Sequence, residues 1–142
     1  MKGIVTLCGS VRFKTEFEKA NRELTLAGFV VLAPGVFEHE WLHKPENNAE
    51  LTKDGLDKLH CEKIAMSDYI VVLNKGQYAG KSTKGEVLYA QSIGFDSETD
   101  YPEKKGIFWL EPSTHDDSER SLAELLAKAT IIDAKSPQTR DP

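Results

Sequence analysis

A zinc-peptidase pattern, H-E-x-x-H, occurs at residues 39–43, where the chain reads HEWLH. In zinc peptidases both histidines lie on one helix and bind Zn²⁺, while the glutamate acts as a general base. Here Pro34, Gly35 and Pro45 flank the pattern closely, so the sequence leaves room for about two helical turns at most. We expect a loop with two titrating histidines rather than a metal site, although His60 stays open as a third ligand.

Residues 76–83, GQYAGKST, lie between a predicted strand and a predicted helix, as a phosphate-binding P-loop does. The P-loop pattern needs four residues between its glycines, whereas Gly76 and Gly80 enclose three. This spacing disfavours a nucleoside triphosphatase. An anion site remains plausible on physical grounds, because Gly80 permits close approach of a ligand and the amides of Ser82 and Thr83 open a helix N-terminus.

A second candidate anion site lies at residues 8–13, CGSVRF, where a predicted strand turns into a helix. Gly9 lets backbone N–H groups face a ligand, and Ser10 adds a small hydroxyl. Arg12 offers a bidentate guanidinium. The alternative is an ordinary strand-to-helix turn with a surface arginine. We favour the anion site because residues 80–83 are expected at the same end of the same sheet.

Glu86 and Tyr89 are candidate catalytic residues, since they follow the Gly80–Thr83 segment on the next helix. The sequence predicts Glu86 in the first turn of that helix, with Tyr89 one turn later on the same side. A glutamate in a first turn normally stabilises the helix dipole. Beside two sites able to hold a phosphorylated sugar, it is also a candidate nucleophile.

The elements that position these residues alternate along the chain. The predicted strands are residues 3–8, 29–32, 69–73, 107–110 and 130–133, and the predicted helices are 14–27, 51–66, 82–93 and one from Ser113 or Thr114 to Ala129. A long loop at 33–48, which contains HEWLH, is expected to close over a ligand.

Alternation of apolar strands with amphipathic helices predicts an α/β fold with a parallel sheet covered on both faces. Ligands of such sheets bind at the carboxyl ends of the strands. The loops after Cys8, Leu32 and Leu73 should therefore surround one crevice.

Composition indicates a small globular protein of 142 residues, with one domain at 1–134 and a disordered tail at 135–142. The net charge of −5 argues against binding to a nucleic acid polymer. No run reaches the roughly 18 apolar residues of a membrane span, and Cys8 and Cys61 form no disulfide framework. We expect a reduced, cytoplasmic protein with no membrane partner.

Three motifs, taken in order, resemble those of the nucleoside 2-deoxyribosyltransferase superfamily. They are CGSVR at 8–12, SDYIVV at 67–72, and EVLYA at 86–90 followed by Gly94, and the similarity spans about residues 3–110. The CGSVR segment looks most like that of the 2'-deoxynucleoside 5'-monophosphate N-glycosidases, whose corresponding loop binds the 5'-phosphate. The resemblance implies a flavodoxin-like or Rossmann-like three-layer sandwich with a five-stranded parallel sheet. It also implies a homodimer or higher homo-oligomer, a small-molecule nucleoside or nucleotide ligand, and no metal or organic cofactor.

The resemblance further implies roles for individual residues. Glu86 would be the nucleophile that attacks C1' of the sugar. The residues implied to bind the sugar or its phosphate are Gly9, Ser10, Arg12 and Ser82; Gly80 and Thr83 join them from the anion-site pattern.

Two positions depart from the family pattern. Where the family carries an aspartate that assists base departure, this chain has His60, and Asp57 one turn earlier could orient or replace the imidazole. Ser82 stands four residues before Glu86, whereas the family's serine stands six before its glutamate. A histidine near its reference pKa of about 6.5 can donate a proton near neutral pH, so His60 is a candidate acid. The general acid stays unassigned, and the alternative is a half-buried His60 that packs on the sheet.

The sequence thus leads to two hypotheses. The first is N-glycosidic bond cleavage, or deoxyribosyl transfer, on a nucleoside or nucleoside 5'-monophosphate. The second is a non-catalytic module that binds a nucleotide or sugar phosphate. The chemistry of the first requires a carboxylate beside an oxocarbenium-like sugar and a proton for the departing base.

Overall fold

The computed structural model describes residues 2–37, 49–96, 105–115 and 118–135. The strands are β1 (Ile4–Cys8), β2 (Val30–Leu32), β3 (Tyr69–Val72), β4 (Phe95–Asp96), β5 (Lys105–Trp109) and β6 (Arg120–Ser121). The helices are α1 (Lys14–Leu26), α2 (Ala49–Ala65), α3 (Lys81–Ser92) and α4 (Leu122–Lys135), and short 3-10 turns lie at Val11–Phe13 and Lys75–Gln77.

The strands form one sheet in which every pairing is parallel. Its order is β2-β1-β3-β5, and both β4 and β6 pair with β5 beyond that. Strand β1 lies between β2 and β3, so its carboxyl end is flanked by theirs. The α/β class with a mostly parallel sheet is confirmed, and it is consistent with a flavodoxin-like or Rossmann-like sandwich.

Helices cover both faces of the sheet because side chains alternate along each strand. On one face, Val5 and Leu7 of β1 pack with residues of α1 and α4. On the other face, Cys8 packs with Ile64 of α2 and Ala90 of α3. The side chains of α2 and α3 therefore meet at the carboxyl end of β1.

Two sequence predictions in the C-terminal part are wrong. Residues 130–133, predicted as a fifth strand, belong to helix α4. That helix begins at Leu122 rather than after Ser113 or Thr114. Ser121 and Glu124 explain the later start, because each donates its backbone N–H to the other's side chain, at 3.3 Å from Ser121 and 3.1 Å from Glu124, as in a capping box.

Several predictions fall partly or wholly beyond the described part of the chain. Within the predicted loop 33–48, residues 33–37 form neither helix nor strand. The HEWLH pattern lies outside the described residues, as do residues 136–142 of the predicted tail. None of the helices within the described ranges combines the length and apolar character needed to cross a membrane.

Asn74, two residues after the end of β3, joins the ends of two neighbouring strands. Its side-chain amide donates to the Glu111 carbonyl at 3.0 Å, and its side-chain carbonyl accepts from the Glu111 N–H at 2.9 Å. Gly76 N–H donates to the Glu111 carboxylate at 2.8 Å. The loops after β3 and β5 are thus fixed to each other.

We expect Ser121→Ala to lower the free energy of unfolding by about 1 kcal/mol, because it removes an N-cap side chain. The matched control is Ser113→Ala, since the Ser113 hydroxyl accepts from the N–H of His115 at 3.1 Å in an exposed turn and caps none of the described helices. Urea denaturation of both variants measures the difference. A larger loss for Ser113→Ala than for Ser121→Ala would contradict this assignment of the helix start.

Candidate functional site

A cavity of about 810 Å³ opens at the carboxyl ends of β1, β2 and β3. Its walls come from the loop after β1, residues 34–36 after β2, the cavity-facing side of α2, and the beginning of α3. The structure thus brings the three loops identified in the sequence around one crevice. A cavity of this size suits a small-molecule ligand.

Gly9 allows the chain to turn sharply out of β1. Its φ is +156°, and a Cβ atom there would lie 3.1 Å from the carbonyl oxygen of Leu73. The Ser10 hydroxyl then accepts from the N–H of Arg12 at 3.3 Å and caps the short 3-10 turn. At position 9, therefore, only glycine fits without displacing the backbone just after β3.

Arg12 lies at the exposed mouth of the cavity. Its guanidinium carbon stands 4.7 Å from the centre of the Tyr78 ring, in a cation–π contact. The Tyr78 ring in turn meets Phe13 edge-on at 6.0 Å. The arginine side chain is therefore held at the rim between the two predicted anion-binding loops.

Helix α3 begins at Lys81, with Gly80 as its N-cap residue, and no side chain caps its first turn. Lys84 N–H donates to the Gly80 carbonyl at 2.9 Å. Ser82 and Thr83 both line the cavity. An uncapped helix N-terminus without an acidic residue in its first turn favours a bound anion.

Glu86 lies in the second turn of α3, as the sixth residue from Lys81, so its predicted first-turn position is wrong. Its side chain is 15% exposed and lines the cavity. The helix dipole acts mainly on the first turn. Dipole stabilisation therefore does not account for a carboxyl group at this buried position.

His60 of α2 faces Glu86 across the cavity. Its Nε2 lies 3.7 Å from the Glu86 carboxylate, and the imidazole side chain is 8% exposed. The Leu7 backbone opposes the effect of burial and raises the pKa of the imidazole. Its Nε2, however, has no hydrogen-bond partner among the described residues.

The end of α2 is fixed to β1 by buried hydroxyl groups. Thr6 and Ser67 both donate to the carbonyl oxygen of Lys63, at 3.1 Å and 2.8 Å, and the two hydroxyls contact each other. The Lys63 ammonium donates to the Ala33 carbonyl at 2.8 Å. His60 lies one turn before Lys63, so these bonds hold the imidazole against β1.

The environment shifts the pKa values of the two facing groups in opposite directions. Burial, reinforced by the negative charge of Asp57 and opposed by Lys53, raises the pKa of Glu86 to about 8. Burial, reinforced by Lys63, lowers the pKa of His60 to about 4. Both shifts favour the uncharged form of the group at neutral pH, in which His60 carries no extra proton to donate.

Asp57, the alternative acid, also lines the cavity. It forms an ion pair with Lys53 at 3.5 Å, and both side chains are about half exposed, at 50% and 47%. An ion pair exposed to this degree contributes little to stability. Its charge nevertheless acts on both Glu86 and His60.

Cys8 is the functional candidate that sequence reasoning missed. Its thiol is fully buried, and burial, with Glu86 and Cys61 nearby, raises its pKa well above the ordinary value. Its sulfur, a nitrogen of His60 and a carboxylate oxygen of Glu86 all lie within 4.8 Å of one another. The strand alternation could have indicated this, because Cys8 shares the face of β1 on which Thr6 contacts α2.

The structure brings all but one of the predicted site residues into one cavity. Those that line it are Gly9, Ser10, Arg12, His60, Gly80, Ser82, Thr83 and Glu86. Tyr89 instead packs against the core formed by α2, α3 and the sheet. The one-turn spacing from Glu86 to Tyr89 therefore does not place both side chains in the cavity.

Comparison of the sequence with protein-family models and with curated proteins finds no match.

We expect Glu86→Gln to stabilise the fold increasingly as pH rises from about 4.5 to about 8. The carboxyl pKa is 4.5 in the unfolded chain and about 8 in the fold, so over that range folding requires uptake of a proton. The contribution of the Glu86 carboxyl group to stability is complete below pH 4.5. It is lost as pH rises, by up to about 1.4 kcal/mol per pH unit.

His60 opposes this trend between about pH 4 and 6.5, because its pKa is lowered on folding. The wild type should thus lose stability mainly from pH 6.5 to 8. Denaturation at a series of pH values, with chelator present, measures the gap between wild type and Glu86→Gln. The control is Glu62→Gln, at an exposed position of α2. A gap that stays constant across the series would show that Glu86 titrates normally.

Proposed function

We propose that the protein cleaves the N-glycosidic bond of a nucleoside or nucleoside 5'-monophosphate, or transfers its deoxyribosyl group, with Glu86 as the nucleophile. The observation that carries this proposal is a buried carboxyl group in the same cavity as the two loops that the sequence predicts to bind an anion. A place for an anion and a carboxyl group, at different ends of one cavity, would suit a ligand that is charged at one end and reacts at the other.

The anion-binding part would receive the 5'-phosphate or the 5'-hydroxyl. Arg12 can form charge-assisted hydrogen bonds with a phosphate, and the amides of Ser82 and Thr83 add a helix N-terminus. Lys81 also lines the cavity. These groups would fix the sugar with C1' toward Glu86.

In the first step, the bond between C1' and the base nitrogen breaks while a Glu86 oxygen bonds to C1'. The proton of the Glu86 carboxyl group goes to the departing base, so the products are a glycosyl ester and a neutral base. The developing positive charge on the sugar is stabilised by the carboxylate that forms.

His60 provides a route for that proton. Its Nε2 is 3.7 Å from the Glu86 carboxylate and has no other partner among the described residues. A shift of the proton onto Nε2 creates the carboxylate nucleophile and an imidazolium together. The imidazolium then protonates the base, so His60 acts as a relay rather than as a resident acid.

In the second step, an acceptor releases the sugar from Glu86. Water would give the free sugar and restore the carboxyl proton, while a second base would give a new nucleoside. Both acceptors use the same first step. The proposal therefore covers a hydrolase and a transferase.

We also propose that the protein is a homodimer or higher homo-oligomer in a reducing, cytoplasmic setting. Exposed apolar side chains on α2 and α3, including Leu59 and Leu88, support self-association. The two free cysteines support a reducing compartment.

We expect Glu86→Gln to reduce the rate of base release by a factor of about 1000 or more, because the amide is a poor nucleophile. Chromatography of a panel of nucleosides and 5'-monophosphates measures the free base. The control, Glu62→Gln, should retain the wild-type rate. Equal release by wild type and Glu86→Gln would exclude Glu86 as the nucleophile, and no release from any substrate would exclude the reaction.

We expect Arg12→Ala to raise KM for a nucleoside 5'-monophosphate by about tenfold, as for the loss of a hydrogen bond to a charged group. KM for the matching unphosphorylated nucleoside should change less than about twofold. Arg22→Ala, at an exposed position of α1, is the control. Equal changes for both substrates would place the phosphate elsewhere.

The uncharged state of Glu86 and His60 at neutral pH favours a second candidate, a module that binds a nucleotide or sugar phosphate without turnover. A protonated carboxyl group could donate a hydrogen bond to a sugar hydroxyl. Thermal stabilisation by a nucleotide that is recovered intact would support this function, and consumption of the nucleotide would rule it out.

A further inference from the structure

We propose that Cys8, His60 and Glu86 form a binding site for a divalent transition-metal ion of the Zn²⁺ type. The three side chains supply one sulfur, one nitrogen and one oxygen, and these atoms lie within 4.8 Å of one another. They come from β1, α2 and α3, so the fold itself brings the set together. The site does not depend on the proposed reaction.

The unsatisfied nitrogen of His60 is the second observation. His60 is 6% exposed, and its Nε2 has no hydrogen-bond partner among the described residues. Buried polar atoms normally have partners, so an orphaned one calls for an explanation such as an ion.

The geometry at the site is close to that of a zinc centre. Bonds of about 2.0–2.3 Å place tetrahedral ligands about 3.3–3.8 Å apart. The His60 and Glu86 atoms are already 3.7 Å apart. The Cys8 sulfur lies within 4.8 Å of both, so it would have to move by at most about 1 Å to come within about 3.8 Å of them.

The donor set selects the class of ion. A thiolate and an imidazole bind zinc and other transition metals, whereas Mg²⁺ and Ca²⁺ prefer oxygen ligands only. On binding, the thiol and the carboxyl group each release a proton to solvent. The resulting two negative charges neutralise the ion. Three protein ligands leave a fourth position for water or a ligand from the cavity.

Occupation of the site would engage the carboxylate of Glu86. If Glu86 is the nucleophile, a bound ion inhibits the reaction reversibly; this consequence rests on the proposed function. The chain would then be active only where free transition-metal ions are scarce.

Titration of the chelator-treated protein with Co²⁺ tests the site by a signal independent of activity. We expect one equivalent to bind, with visible bands typical of tetrahedral cobalt and a thiolate-to-cobalt charge-transfer band in the near ultraviolet. Zn²⁺ should displace the cobalt. No binding, or more than one equivalent without a charge-transfer band, overturns the proposal.

Variants assign the ligands. Cys8→Ser should abolish the charge-transfer band and weaken binding by at least about tenfold, whereas Cys61→Ser should change neither. Glu86→Gln retains the thiol, so it should keep the charge-transfer band and bind cobalt at least about tenfold more weakly. This variant replaces Cys8→Ser as the test if circular dichroism shows that Cys8→Ser does not fold. Loss of the band in Cys61→Ser, or unchanged affinity in Glu86→Gln, contradicts the assignment.

The double variant His39→Asn/His43→Asn separates this site from the HEWLH pattern. It should bind cobalt as the wild type does, and loss of binding there would move the site to residues 39–43. Base release with and without Zn²⁺ tests the inhibition separately. Cobalt binding without base release would uphold the site and reject the enzyme, and the reverse result would reject the site alone.

Discussion

The contact between the last turn of α2 and strand β1 determines the arrangement of the whole site. Thr6 and Ser67 both donate to the Lys63 carbonyl near the end of α2, and this carbonyl also accepts from the Met66 N–H at 3.2 Å. Because that turn is fixed, His60 lies against β1 beside Cys8. The position of α3 on the same face then brings Glu86 opposite the imidazole. A polar contact in the core thus places Cys8, His60 and Glu86 together, although neither of its hydroxyls lines the cavity.

Burial shifts the pKa values of Glu86 and His60 and thereby lowers the stability of the fold. A carboxyl group whose pKa is raised to about 8 makes the folded state less stable at neutral pH than a neutral side chain would. An imidazole with an unpartnered nitrogen adds to that cost. Strongly shifted pKa values of buried groups are typical of functional sites. They distinguish the Glu86–His60 pair from the exposed Lys53–Asp57 pair nearby, which has ordinary surface character.

The sequence predicts the strands and helices whose hydrophobic patterns are long. It predicts the loops of the candidate site where glycine and charged residues follow a strand. The apolar strands before Gly9 and Asn74, and the helices at α1, α2 and α3, are in this category. It does not distinguish competing caps: Ser113 and Ser121 both precede helical patterns, and only Ser121 pairs with a glutamate three residues later. The β-branched residues 130–132 suggested a strand, but no glycine or proline interrupts the helix before Pro137. Distances between a strand and a helix packed on it, such as that from Cys8 to His60, depend on tertiary packing and have no local sequence pattern.

Asn74 fixes the side of the cavity near β3, whereas the side near β2 is held by fewer contacts among the described residues. Its paired hydrogen bonds to Glu111 continue the ladder between β3 and β5 by one side-chain step beyond the last strand residues. No such clasp joins the ends of β1 and β2 in the described residues; there, one lysine ammonium on one carbonyl, Lys63 to Ala33, links α2 to the segment after β2. A ligand of different size would therefore be accommodated by movement on the β2 side of the cavity, while the β3 side keeps its shape.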